Sequence, residues 1–160
     1  MGLAADAAEN LERAFPPHPI DPARAFAEWG GTYVDADVFR AGVRGKRWME
    51  LEASFLERCH DAVVFLGPSS IAEYLPAFVL ALVRRDPALS ALPSFLLSVL
   101  TRGGDSERFD ARFAELTSAQ RRAITRTLAA FEVELAGSPR QADVSAALDD
   151  YWRAQIGGVG

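Results

Sequence analysis

Cys59, His60 and Asp61 form the one local cluster of reactive side chains in this 160-residue chain. A thiol beside an imidazole suggests a nucleophile with its base, and the three together suggest metal ligands. Helical geometry opposes both readings. Neighbouring positions on a helix point about 100° apart, so Cys59 and His60 converge poorly on one proton or one metal. Structural zinc takes four Cys or His ligands, whereas this chain has one Cys and two His in total. Cys59 also falls on an apolar stripe, where a buried, inert thiol is the ordinary case. His18, within Pro-Pro-His-Pro, reads as an exposed loop residue. No residue is assigned a catalytic or metal-binding role, and no cofactor is expected.

The other candidates are weaker in chemistry or stronger in structure. Asp35 with Asp37, and Asp149 with Asp150, are close in sequence, but acid–base work needs carboxylates that converge in a pocket. Solvated surface is the simpler reading. Gly30-Gly31, Gly42 to Gly45 and Gly103-Gly104 match neither the phosphate-loop nor the dinucleotide pattern. Arg121, Arg122 and Arg126 offer a basic face for phosphate or an acidic partner, against the alternative that they are solvated or ion-paired. Tyr74-Leu75-Pro76 is the most unusual segment. A proline inside a buried helix leaves a carbonyl in the preceding turn without its amide donor. Tyr74, Gln120 or water is the expected donor, and the kink is either a packing feature or the edge of a groove shared with Trp48.

The elements that carry these residues read as helices. Ala5 to Phe15 places Ala8, Leu11 and Phe15 at helical spacing before Pro16, Pro17 and Pro19. Asp21-Pro22 opens a short helix toward Trp29, and Thr32 to Ala41 suits a short helix or a strand. From Arg47, the stripe Trp48, Leu51, Phe55 and Cys59 predicts one helix of about 14 residues. Ser69 or Ser70, with Glu73, reads as a capping box for a helix that Pro76 divides into two pieces. Leu92 to Leu100 is a second nearly all-apolar helix that packs beside Pro76 to Val83, and Ser106 to Leu116 is a third. Thr117 and Gln120 form a capping box before the stripe Ile124, Leu128, Phe131 and Leu135. Gln141 to Ile156 closes the series. The expected fold is all-α: one domain over residues 1–156, six to eight helices, one kinked at a proline, at most a minor β element at Val34 or Val63, and a flexible tail at 157–160.

Composition excludes further classes. A net charge of −5 argues against a broad nucleic-acid surface, because nonspecific affinity comes from Lys and Arg neutralising phosphates. The longest apolar runs, Leu75 to Val83 and Leu92 to Leu100, fall well short of the roughly 20 residues that cross a bilayer, so no membrane partner is expected. A single Cys permits no intrachain disulfide and the first ten residues lack a basic and apolar leader pattern, so a reducing cytoplasm is the expected setting.

Trp48-x-x-Leu51, Val64-Phe65-Leu66, Glu73-Tyr74-Leu75-Pro76-Ala77-Phe78 and Phe113-x-x-Leu116-Thr117-x-x-Gln120-x-x-x-Ile124 occur in that order and spacing. Over roughly residues 11–135 the chain thereby resembles the DUF6714 family, bacterial proteins of unknown function. The resemblance transfers no activity. Its small, accessory character is similar to that of immunity-type proteins, so the leading expectation is a noncatalytic factor that binds another protein. The alternative is a small-molecule binder or enzyme with a pocket near the Tyr74-Leu75-Pro76 kink, Trp48 and Gln120. A third is nucleic-acid binding through Arg121, Arg122 and Arg126.

Overall fold

A computed structural model describes residues 2–27 and 33–157. Ten α-helical segments follow in order: α1 (Leu3–Ala14), α2 (Ala36–Val43), α3 (Ala53–Arg58), α4 (Ala62–Phe65), α5 (Pro68–Arg84), α6 (Leu92–Leu100), α7 (Ser106–Phe113), α8 (Ser118–Glu134), α9 (Arg140–Ala147) and α10 (Ala154–Gly157). Seven of these have eight residues or more. No strand occurs among the described residues. Val34 lies in a turn and is 94% exposed, while Val63 is buried in the single turn of α4. Without a second strand to pair with, a four-residue run satisfies its backbone groups better as a helical turn.

Helix α5 is the axis of the fold. All but one of its residues from Ile71 to Val83 are uncharged, and residues 74–83 are buried without interruption. An apolar surface on every side demands neighbours on every side: α1, α6, α7 and α8 all pack against it. Asn10 ties α1 to α8, its Nδ2 donating to the Ala123 carbonyl at 3.0 Å and to Thr127 Oγ1 at 3.1 Å. The stripe Ile124, Leu128, Phe131 and Leu135 is buried throughout, and the Thr117–Gln120 capping box is formed in both directions.

Several expected boundaries move, each for a local reason. The stretch from Arg47 is a 3-10 turn, Trp48–Glu50, and then α3, separated by extended backbone at Leu51 and Glu52. Glu50 folds back to accept the Arg47 backbone N–H at 2.6 Å, which closes the turn on itself instead of propagating a helix. Helix α5 begins at Pro68 with Gly67 as its cap, so neither Ser69 nor Ser70 caps it and Glu73 is free of that task. Proline suits the first helical position because its missing N–H has no partner to lose there. The helix then runs through Pro76 as one element from Pro68 to Arg84, not two, with Pro76 buried among neighbours on all sides. Asp21-Pro22 opens only a three-residue 3-10 turn, with Asp21 accepting from the Ala23 N–H at 3.0 Å. Its expected end at Trp29-Gly30-Gly31, with Thr32, lies outside the described residues, and so do residues 158–160 of the tail. The final helical stretch holds a π turn at Leu148–Trp152 between α9 and α10, closed by the Arg153 N–H on the Leu148 carbonyl at 2.8 Å.

Three contacts between elements, two polar and one steric, hold the bundle together. Helix α6 has no side-chain cap of its own; Glu57 supplies one from α3, accepting the Ala91 N–H at 2.6 Å and the Leu92 N–H at 2.9 Å. Burial pushes the Glu57 carboxyl up, but the backbone N–H groups of Ala91, Leu92 and Ser90 outweigh it and hold the carboxyl below its ordinary value. A depressed acid contributes stability above its unfolded pKa, and that contribution disappears as pH falls through the folded value. Glu57→Gln is therefore expected to cost about 0.5 to 2 kcal/mol near neutral pH, and urea melts repeated near pH 2 should show the two proteins converging.

The second contact is steric. A Cβ on Gly42 of α2 would overlap the Phe55 ring, which stacks on Phe39 at 5.7 Å. Gly42→Ala should lower the thermal midpoint by the equivalent of about 1 to 3 kcal/mol, the usual cost of overpacking. The third contact, through Arg112, is taken up in the Discussion.

Candidate functional site

A recess of ≈ 300 Å³ opens above the first turns of α5, lined by Trp48, Glu73 and Gln120 together with Phe15, His18 and Ile20. Its lining comes from four separated parts of the chain. The loop after α1 is fastened to the segment before Trp48 by the Ile20 N–H on the Lys46 carbonyl at 3.0 Å and by Trp48 Nε1 on the Phe15 carbonyl at 2.9 Å. Trp48 is thereby fixed as a wall. Gln120 stands at the start of α8, its Oε1 accepting the Thr117 N–H at 3.0 Å as part of the capping box. Its Nε2 group makes no hydrogen bond among the described residues.

Glu73 supplies the charge. Its side chain is only 8% exposed, and its Oε1 accepts from Arg24 Nη1 at 3.1 Å. Its Oε2 is buried and has no hydrogen-bond partner among the described residues. Burial pushes the Glu73 carboxyl above its ordinary value, against the opposing pull of Arg24 and His18. A buried acceptor without a donor costs free energy that a bound donor would recover. Arg24 approaches from the exposed side, 53% exposed, and its Nη2 also donates to the Ser69 carbonyl at 3.4 Å.

The other sequence-based candidates are placed differently. Trp48 and Gln120 meet at the recess, but Tyr74 and Pro76, though on the same helix, are buried in the core and do not line it. The Tyr74 ring meets Phe39 edge-on at 5.1 Å, and its hydroxyl has no partner among the described residues, so it is not the donor for the carbonyl freed by Pro76. Burial and then the charge of Glu73 push the Tyr74 hydroxyl's pKa up. Arg121 is half-buried and donates to the Phe113 and Ala114 carbonyls at 3.0 and 3.2 Å, capping the end of α7. Arg122 is half-buried and Arg126 exposed, so of the three arginines only these two are left without a capping task.

The reactive cluster has a structural account. Cys59 is 1% exposed, and burial pushes its thiol up, away from the thiolate a nucleophile needs. His60 places Nδ1 2.9 Å from the Glu57 carbonyl and its ring edge-on to Phe95 at 4.6 Å. The paired carboxylates are on the surface: Asp37 lies 3.5 Å from Arg40, and Asp149 lies 2.8 Å from Arg153. Among the described residues no three His, Cys, Asp or Glu side chains are grouped to hold a metal, and no helix is long and apolar enough to cross a membrane.

From sequence alone Glu73 reads as part of a capping box, and neither Arg24 nor His18 reads as a site residue. One signal was available for Glu73: it is the only charged residue between Gly67 and Arg84. A lone carboxylate in an otherwise apolar helix demands either a partner or a task.

The family model described as a family of unknown function, DUF6714, matches residues 5–156, well beyond the segment whose motifs suggested it. No curated protein and no solved structure matches the chain. With nearly its whole length covered by that model, the chain belongs to the DUF6714 family.

Proposed function

We propose that the protein is a noncatalytic cytoplasmic binding factor of bacteria, of the immunity or accessory type, and that the recess on α5 receives one basic side chain of a protein partner. Glu73 carries this reading: a carboxylate with one buried oxygen unpartnered, set between an immobilised tryptophan and a glutamine amide with hydrogen-bonding capacity to spare. A guanidinium or ammonium supplies the missing donors in their strongest form, a charge-assisted hydrogen bond in a poorly hydrated site. The Trp48 ring adds an apolar and π surface suited to the stem and head of such a side chain. A volume of ≈ 300 Å³ suits one inserted side chain better than a large cofactor. The net charge of −5 steers a basic partner toward the whole molecule. The single, buried Cys is in keeping with a reducing compartment.

The alternative is a free small cation in the same recess, favoured by the fact that Arg24 already reaches Glu73 as a detached guanidinium would. One NMR titration separates the two. The probes are the blocked tripeptide Gly-Arg-Gly, its neutral citrulline counterpart and methylguanidinium. Saturable shifts at Ala72, Glu73, Gln120 and the Trp48 indole with the arginine peptide, absent with citrulline and abolished by Glu73→Gln, are the expected result. Methylguanidinium binding as tightly as the peptide would select the small-cation reading, and equal responses to arginine and citrulline would overturn both.

A further inference from the structure

A second recess, of ≈ 340 Å³, lies where the ends of α5 and α8 meet the starts of α6 and α9. It shares no lining residue with the Glu73 recess. Leu82, Leu89, Phe131 and Leu135 give it an apolar floor, and Arg85 and Arg140 bring two guanidinium groups to it. Neither arginine is ion-paired among the described residues.

Arg85 is fixed in place, and Arg140 has a buried donor to spare. Arg85 follows α5 in the left-handed conformation, φ 52°, a position where glycine is the unstrained choice. Its guanidinium carbon lies 5.5 Å from the Phe131 ring centroid, and Nη2 donates to the Glu134 carbonyl at 3.2 Å. The cation is thus pinned over the apolar floor with N–H groups to spare. Arg140 opens α9, and its Nη1 is buried with no acceptor among the described residues. A buried cationic N–H without an acceptor is costly, and an anion is the partner that removes the cost. Asp86, the one acid in the lining, has its Oδ1 engaged by the Ala88 N–H at 2.8 Å.

We infer that this recess binds an organic monocarboxylate, with the carboxylate between Arg85 and Arg140 and an apolar body over Leu82, Leu89 and Phe131. The inference is independent of the reading of the Glu73 recess. Its test uses the full chain, titrated by NMR with octanoate, octanol, acetate and inorganic phosphate. Octanoate should give saturable shifts at Leu82, Leu89 and Arg140, with affinity at least about tenfold above acetate because its methylenes leave water. Arg140→Gln should lower octanoate affinity by about tenfold and leave the response to octanol unchanged. If that variant fails to fold, as read from its thermal melt, Arg85→Gln serves in its place, and the octanoate-to-octanol ratio on the wild-type protein decides without either. Octanol binding as tightly as octanoate would overturn the inference, and so would the absence of saturable shifts. Acetate and phosphate matching octanoate would reduce the site to an adventitious ion only and overturn it equally.

Discussion

Trp152→Ala is expected to lower the free energy of unfolding by about 3 to 5 kcal/mol, since Trp152 is the largest fully buried side chain among the described residues. Trp152 is fully buried at the end of the π turn. Its ring packs edge-on against Phe113 at 5.2 Å and Tyr151 at 4.9 Å, so deletion leaves a void lined by aromatic groups. Two polar contacts depend on its place. Its Nε1 donates to the Leu100 carbonyl at 2.8 Å, and its own carbonyl accepts from Thr125 Oγ1 at 3.0 Å. The C-terminal helix is thereby locked onto α6 and α8. Trp152→Phe keeps most of the apolar volume and loses the Leu100 contact, which isolates about 1 to 3 kcal/mol for the orphaned carbonyl. Urea unfolding with an unchanged m-value is the measurement. A midpoint that does not move for Trp152→Ala would mean that α10 and the π turn are not docked as described.

Arg112→Met should cost about 2 to 4 kcal/mol. Arg112 is 6% exposed, and its Nε donates to the Leu66 carbonyl at 3.2 Å and Nη2 to the Val64 carbonyl at 2.7 Å. Those carbonyls belong to the end of α4 and the turn before α5, where the helix provides no partners of its own. Burial brings the guanidinium's pKa down to about 10, so the charge itself is held at a cost, which the substitution relieves. The net loss stays large because two buried acceptors are left empty. Arg112→Lys discriminates between charge and geometry: a single ammonium does not reproduce the fork, so it should recover only part of the stability. Equal melts for wild type and Arg112→Met would show that water, not Arg112, satisfies these carbonyls.

What the sequence made legible is what local chemistry writes. The Thr117–Gln120 box and the stripe from Ile124 to Leu135 are contained within one helix, so type and spacing suffice to read them. The stripe of Trp48, Leu51, Phe55 and Cys59 misleads for an instructive reason. Spacing records which residues share a side, not whether the backbone between them is continuous, and here Leu51 and Glu52 are extended while all but the half-buried Phe55 still face the core. The trans caps were not legible at all. Glu57 meets Ala91 and Leu92 across 34 and 35 residues, and Arg112 meets Val64 and Leu66 across 48 and 46. The recess falls between these cases. Trp48 and Gln120 were visible as candidates, but the charge that gives the recess its chemistry reaches Arg24 across 49 residues, and only folding brings it there.

The proposed role of the recess rests on Glu73 as a buried acceptor awaiting a cation, and the pH titration of its carboxyl carbon by NMR tests that claim most directly. In the free protein the midpoint should lie above the ordinary carboxylate range, since burial outweighs Arg24. A bound guanidinium favours the ionised form, so saturating arginine peptide should move the midpoint down, while the citrulline peptide should leave it in place. A midpoint at the ordinary value in the free protein, or one that the arginine peptide does not move, would contradict the account.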